Sequence, residues 1–254
     1  MKGNLTIDIG NTSVKVAFFI GTQIAATNRF VRRDSRLLDR FISSYKPDTA
    51  IVCSTASSDA SRRLEELAEQ RCRRVVHMTH ETPLPITLGY RTPSTLGRDR
   101  IATAVGAWTI AQRLDMDSDV LVIDAGTAIT YDLVTSKGCF VGGNIAPGLG
   151  LRFKALHEHT GRLPLVQPDG DTPVVGYDTP TAIRSGVLLG LLGEIKSYIA
   201  DLKLSYPNLM VFITGGDGKL LHERLDNEDI IYYENLAAEG LNRIYLYNAA
   251  NETH

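Results

Sequence analysis

The stretch "IDIGNTSVK", residues 7 to 15, ends an apolar run with a carboxylate and then supplies Gly10, Asn11, Thr12 and, three positions on, Lys15. The same order returns in "VIDAGTAIT" at residues 122 to 130. Superposition sets Ile7-Asp8-Ile9-Gly10 on Ile123-Asp124-Ala125-Gly126, with Thr12 near Thr127 after a one-residue gap. A single Asp-x-Gly after a strand is ordinary hairpin chemistry. Two copies in matching places argue instead for a shared device. Glycine lets a backbone approach a ligand closely, and successive turn amides with a Thr hydroxyl donate to phosphate oxygens. An aspartate beside a phosphate needs a cation, for which Lys15 and a bound Mg²⁺ are the candidates.

Outward from these two copies the chain organises into similar halves. Alternation and turn signals read "NLTIDIG", "SVKVAFFI" and "TQIAATNRF" as three strands, followed by a helix opened by Asp34. "TAIVCST" reads as a buried strand, "ASRRLEELAEQRCRR" as a helix and "VVHM" as a strand, and a helix from about Arg98 to Leu114 closes this half. The second half opens with three more strands across "SDVLVIDAGTAITYDLVTSKGCFVGGNIA", the second and third joined by the turn "TSKG". Helices near 149 to 158 and 181 to 204, the strand "LMVFIT", the helix "GKLLHERL", the strand "DIIYY" and a helix near 236 to 247 follow. Each half reads βββαβαβα, so the expected fold is α/β with a duplicated unit, residues 1–116 and 117–254. No linker rich in Pro, Gly or Ser separates them, so the boundary near Asp115 to Asp119 is expected to be a tight hinge.

The bulk properties limit the function. Hydrophobic residues make up 43% and charged residues 22% of 254, an ordinary globular composition, and a net charge of -2 gives no reason to expect nucleic acid or a membrane surface as partner. Asp8 interrupts the one apolar stretch a signal peptide would need, so a cytoplasmic chain is expected. "GVLLGLLG" at 186 to 193 is far shorter than the roughly 20 residues of a membrane span and reads as a buried or interface helix. Three scattered cysteines, Cys53, Cys72 and Cys139, suggest free thiols. The histidines of "HEHT" at 157 to 160 stand two apart and do not share a helix face, and the Arg-rich "RRLEELAEQRCRR" and "RFVRRDSR" read as solvated surface.

Two further stretches carry chemistry. In "FITGGDGK", residues 212 to 219, Gly215 and Gly216 would let a base or phosphate lie against the backbone, with Asp217 capping the helix that follows. In "TLGRDRIATAVGA", residues 95 to 107, Asp99 and Arg100 begin a helix and are expected to project from its exposed end. There Asp99 can take a proton from a substrate hydroxyl while Arg100 holds an anionic or polar part of the substrate.

The ordered set "DIGNTSVK", "LGRDR", "DAGTAITYD" with "GGNIAPGL", and "TGGDG" resembles the type III pantothenate kinases, in the superfamily of actin, sugar kinases and heat-shock chaperones. The resemblance covers nearly the whole chain. It implies two ribonuclease-H-like domains with ATP in the cleft between them, ATP-dependent phosphorylation of the primary hydroxyl of pantothenate as the first step of coenzyme A biosynthesis, and a homodimer. By the same resemblance Asp8, Ile9, Gly10, Asn11, Thr12, Ser13, Val14 and Lys15 form the first phosphate loop, with Asp8 a candidate for Mg²⁺. Thr127 touches ATP, Gly215 and Gly216 lie near the adenosine, and Asp124 holds a monovalent cation, K⁺ or NH₄⁺. Tyr90, Gly97, Arg98, Asp99, Arg100 and Thr179 bind pantothenate, with Asp99 the catalytic base, and His157 is a further pocket candidate. This chain departs from relatives at Asp178, where Asn is usual, and at Arg91-Thr92 after Tyr90. Two other classes stay open at this point. A kinase for another sugar or small acid is usually longer and lacks this motif order. A regulatory accessory protein of the same fold would be expected to have lost Asp8, Lys15, Asp99 or Asp124, all of which are present.

Overall fold

A computed structural model of the chain describes residues 3–31, 34–55, 58–114 and 117–251. The strands are β1 (Asn4–Ile9), β2 (Ser13–Ile20), β3 (Gln23–Val31), β4 (Thr49–Ser54), β5 (Arg74–His77), β6 (Thr87–Leu88), β7 (Asp119–Ala125), β8 (Ala128–Val134), β9 (Cys139–Pro147), β10 (Leu209–Thr214) and β11 (Ile230–Tyr232). The helices are α1 (Ser35–Tyr45), α2 (Asp59–Arg71), α3 (Arg98–Leu114), α4 (Leu149–Glu158), α5 (Thr179–Ser205), α6 (Gly218–Leu225) and α7 (Leu236–Asn251), with a 3-10 turn at Pro93–Thr95. The chain forms two compact units: Met1–Leu114 with Lys137–Val141 and Asn235–His254, and Asp115–Ser136 with Gly142–Glu234.

In the first unit the strand order is β3-β2-β1-β4-β5, an antiparallel meander with two parallel strands beside β1. Alternation decides its faces. Leu5, Ile7 and Ile9 join Ala50 and Val52 in one buried cluster with Leu38 of α1 and Leu64 of α2. The intervening residues, Asp8 and Cys53 among them, face the side on which α3 and α7 pack. Helix α3 meets α7 backbone to backbone, because Gly106 and Gly240 each leave no room for a Cβ against the other helix. That contact draws the C-terminal helix into the first unit, whereas the division expected from the sequence cuts the chain once after residue 116. Asp115 and Met116, at the expected hinge, lie outside the described residues, as do Arg32 and Arg33 of the basic stretch.

The second unit repeats the meander as β7, β8 and β9, with β10 parallel to β7 and β11 parallel to β10. Its core joins Leu121 and Ile123 of β7 to Phe153 of α4, Leu221 of α6 and one side of α5, where Val187, Leu188, Leu191 and Leu192 are buried. The apolar stretch 186 to 193 is therefore half interior, since Gly186, Leu189, Gly190 and Gly193 on its other side are exposed. The duplicated turns match in detail. The Gly10 amide donates to the Ser13 carbonyl (3.1 Å) and the Gly126 amide to the Ala128 carbonyl (3.0 Å), the same closure with one residue fewer. This accounts for the gap between the repeats.

The elements depart from expectation at their ends. Helix α2 stops at Arg71 because Arg74–His77 pairs with β4 as β5, and the short β6 has no periodic signal to announce it. Asp34 and Asp217 occupy the N-cap positions of α1 and α6 but accept no capping hydrogen bond through their side chains. No helix among the described residues is long and apolar enough to cross a membrane.

Candidate active site

In the first unit, strand register lines up four side chains, among them the two phosphate-loop candidates Asp8 and Lys15. Asp8 on β1 is paired with Lys15 on β2 and with Cys53 on β4, and Lys15 is paired in turn with Arg29 on β3. Register partners share a face, so one row across the sheet reads Arg29, Lys15, Asp8, Cys53. Arg29 is held by Ser13, its Nε donating to Oγ at 3.2 Å. The Lys15 ammonium has no hydrogen-bond or ion-pair partner among the described residues and remains available to an anion. Asn11 and Thr12 at the turn are exposed. Gly10 does not have a left-handed φ, and a Cβ on it would stand 3.3 Å from the Ser13 carbonyl oxygen, so its use lies in the space left beside the turn amides.

Asp99 lies in the first turn of α3, a helix that packs on β4. The Cys53 thiol is pushed well up by burial first, then by the Asp8 and Asp99 carboxylates, with Arg98 acting in the opposite direction. Gly97 caps α3 through its carbonyl, which accepts from the Ile101 amide at 3.1 Å. The Asp99 carboxylate turns back so that Oδ1 accepts from the Arg100 amide at 2.9 Å, and a Cβ on Gly97 would come within 2.5 Å of that oxygen.

The expectation that Asp99 and Arg100 both project from an exposed helix end needs correction. Arg100 is only 8% exposed, because α3 is buried on nearly every side from Arg100 to Ala107. Its guanidinium carbon stands 5.9 Å from the centre of the Phe140 ring, and Tyr90 packs edge-on against the same ring at 6.2 Å. Phe140 therefore joins two expected pantothenate residues, a role that the sequence reading did not assign. Arg98 turns the other way, donating to the carbonyls of Met78 (2.9 Å) and Ser54 (2.5 Å). Beyond it lies a polar cavity of about 600 Å³ lined by Ser54, Thr55, Ser58, Arg62 and His77.

In the second unit the second Asp-x-Gly turn is surrounded by close backbone contacts. Asp124 at the end of β7 is paired with Thr130 on β8 and Thr214 on β10. The Gly148 amide donates to the Thr127 carbonyl at 3.0 Å, and no Cβ fits on Gly148 against the Gly126 and Thr127 carbonyls, so α4 starts directly behind the turn. Gly215 has φ +96°, and a Cβ there would collide with the Ala125 carbonyl and the Asp124 carboxylate. The turn and this packing demand glycine there without any ligand. Gly216 and Thr127, both exposed, are the residues left to face one.

The monovalent cation expected at Asp124 can be tested against its surroundings. The Thr130 Oγ1, on the same face as Asp124 in the neighbouring strand, is buried and has no hydrogen-bond partner among the described residues. A buried oxygen left without a donor suits a cation ligand, so the residues fit. Counting across the turn in "DAGTAIT" would have placed Thr130 opposite Asp124. For a divalent ion the described residues offer no cluster of three or more His, Cys, Asp or Glu.

The remaining candidates sit on α4 and α5. Thr179 is the first residue of α5 and exposed. The preceding Asp178 forms a capping box with Thr181, whose hydroxyl and amide hold the Asp178 carboxyl below the usual range. His157 is exposed, its Nδ1 2.8 Å from the Leu163 carbonyl. A polar network missed in the sequence ties α4 and α5 to β8. Glu194 accepts from the Tyr131 hydroxyl at 2.8 Å and from Arg152 at 2.7 Å.

Residues 4–201 match the profile of the family described as "Type III pantothenate kinase". A protein of that name from Phocaeicola vulgatus is 41% identical over 249 residues, covering 96% of this chain and 98% of its own. Another from Bacteroides fragilis is 43% identical over 248 residues, with the same coverage. Among solved structures, a glucokinase from an Antarctic psychrotroph is similar with TM-score 0.53 and 13% identity, covering 98% of this chain and 99% of its own. The ROK hexokinase of Thermus thermophilus has TM-score 0.54 and 14% identity, covering 97% and 99%. These two structures bear on the fold alone, a sugar-kinase-like α/β arrangement of ribonuclease-H-like units. The sequence matches run nearly end to end and carry the family with them: this chain belongs to the type III pantothenate kinases.

Proposed function

We infer that the chain transfers the γ-phosphoryl group of ATP to the primary hydroxyl of pantothenate, the first step of coenzyme A biosynthesis and the activity of its family. The observation that carries this reading is the nearly end-to-end match to the type III pantothenate kinases, joined to the strand register that sets Lys15 beside Asp8 at the end of β1. Phosphoryl transfer needs little covalent help from a protein. It needs an acceptor held in line and a field that stabilises the phosphate charge.

Each residue has a part in this. The turn amides after Ile9, with Gly10, Asn11, Thr12, Ser13 and Val14, cradle phosphate oxygens, and Lys15 offsets their charge. Thr127 and Gly216 bind ATP, and Gly215 shapes the loop that presents Gly216. Tyr90, Gly97, Arg100 and Thr179 surround pantothenate. Asp99, its Oδ1 already fixed by the Arg100 amide, uses its other oxygen to orient the hydroxyl and to accept its proton as the new bond forms. Asp8 would stand beside a Mg²⁺ ion bound with the nucleotide, and that ion would supply neutralisation of the phosphate charge. Asp124 and Thr130 hold the monovalent cation. We read the enzyme as a cytoplasmic homodimer, as its family resemblance implies; the exposed Gly186, Gly190 and Gly193 leave one side of α5 open.

The test is ADP release by the purified protein with ATP and Mg²⁺, comparing pantothenate with sugars and short acids, in potassium and in sodium. Turnover with pantothenate alone, stronger in potassium, is expected. Folded protein that binds ATP but leaves pantothenate untouched in both buffers would overturn the assignment.

A further inference from the structure

Arg98 stands beside the catalytic candidate Asp99, and motif matching assigns it to substrate. Its guanidinium is committed elsewhere. One terminal nitrogen donates to the Met78 carbonyl at 2.9 Å, just past β5, and the other to the Ser54 carbonyl at 2.5 Å, the last residue of β4. Two adjacent parallel strands are thereby tied to the first residue of α3. An arginine fork suits this bridge, because its planar geometry loses little freedom in making two bonds at once.

Arg98 thus bonds two strand-end carbonyls from the first residue of the helix. Among the described residues, the Asp99 carboxylate is bonded to the amide of its own neighbour, Arg100. Arg100 is anchored separately, against Phe140. The position of Asp99 relative to Asp8, on the next strand of the sheet, is then set by how α3 is fastened to the strand ends.

We propose that Arg98 is a positioning residue for the phosphoryl transfer: by clamping the start of α3 to the ends of β4 and β5, it holds Asp99 at the distance and orientation the acceptor hydroxyl requires, without touching pantothenate. The proposal rests on the kinase reading above and on Asp99 as its base. Displacing a reacting group by about an ångström costs on the order of a hundredfold in rate, so a loosened clamp acts on turnover more than on binding.

The experiment compares Arg98→Met and Arg98→Lys with the unsubstituted enzyme, after circular dichroism and thermal melts establish that each is folded. The expected result is a fall in kcat of roughly a hundredfold for Arg98→Met with the KM values for pantothenate and ATP nearly unchanged. Partial recovery is expected in Arg98→Lys, which can keep one carbonyl bond. Amide exchange should quicken at Arg100 and Ile101 in Arg98→Met and stay unchanged in α7. A raised KM for pantothenate with kcat intact would make Arg98 a substrate ligand and overturn the proposal. Unchanged kcat and KM in a merely less stable protein would reduce it to a structural tie and also overturn it. If the unsubstituted enzyme fails to phosphorylate pantothenate, the functional reading falls; unchanged amide exchange would then overturn the clamp separately, and faster local exchange would support it.

Discussion

Gly106 of α3 and Gly240 of α7 face each other so closely that a methyl group on either would enter the backbone of the opposite helix, at Leu236 in one case and Ala102 in the other. The obstacle is main chain, which cannot rotate aside as a side chain can. Gly106→Ala or Gly240→Ala is therefore expected to destabilise the protein by about 3 kcal/mol, the upper range for overpacking. Urea unfolding would measure it, with a lowered midpoint and an unchanged slope. A stability within about 0.5 kcal/mol of the parent would mean the helices separate freely, and that this contact does not set their spacing.

Asp99→Asn keeps the shape and the hydrogen bond from the Arg100 amide but removes the proton acceptor. A fall in kcat of about a hundredfold or more is expected, with ATP affinity unchanged. Gly97→Ala acts on the same carboxylate from outside. Its new methyl would press on Oδ1, so a smaller loss of kcat is expected from a protein whose Asp99 is intact. Steady-state kinetics on both variants, with nucleotide binding measured separately, check the pair; an unchanged kcat in Asp99→Asn removes that residue from the chemistry.

Cys72 provides a pH test of the first unit's core. Burial first, then the Asp48 carboxylate, raises its thiol from 9.0 to about 11. The folded chain therefore keeps a proton that the unfolded chain releases. The contribution is complete below pH 9.0 and is lost as the pH rises toward 11. Unfolding free energy measured across that window should fall less steeply in Cys72→Ala than in the parent. Equal slopes would show that the thiol ionises alike in both states.

Much of this was legible in the sequence, for reasons that can be named. The two Asp-x-Gly turns announced the duplication because hairpin closure requires the same backbone chemistry in both, and α3, α4, β10 and α6 carry uninterrupted periodicity or clear Gly punctuation. What escaped depends on contacts across sequence distance. The joining of α7 to the first unit rests on Gly106 and Gly240, 134 residues apart, and neither glycine breaks a helical pattern. Arg98 and Arg100 look equivalent in "LGRDR", yet one bonds two strand-end carbonyls and the other packs on Phe140. Asp178 looked like a departure in the pocket. As the cap of α5 it is replaceable by Asn, since both accept the same bond. Asp178→Asn should accordingly keep the cap and lose only a little stability at neutral pH, with the carboxylate's charge at the helix N-terminus.

Thr130 supplies the most specific test of the cation reading. Its buried, unpartnered Oγ1 is on the same face as Asp124, one strand away. Thr130→Val keeps the shape and removes the oxygen, and in a site without a cation it should be neutral or stabilising, because an unsatisfied polar atom is removed. In a site that binds K⁺ or NH₄⁺ it should raise the concentration for half-maximal activation by about tenfold, equivalent to roughly 1.4 kcal/mol, while Asp124→Asn should abolish the difference between potassium and sodium buffers. Titration of activity with potassium chloride at constant ionic strength separates the two cases. A Thr130→Val enzyme that is more stable and equally activated would place the cation elsewhere and leave Asp124 as a structural partner of Gly215.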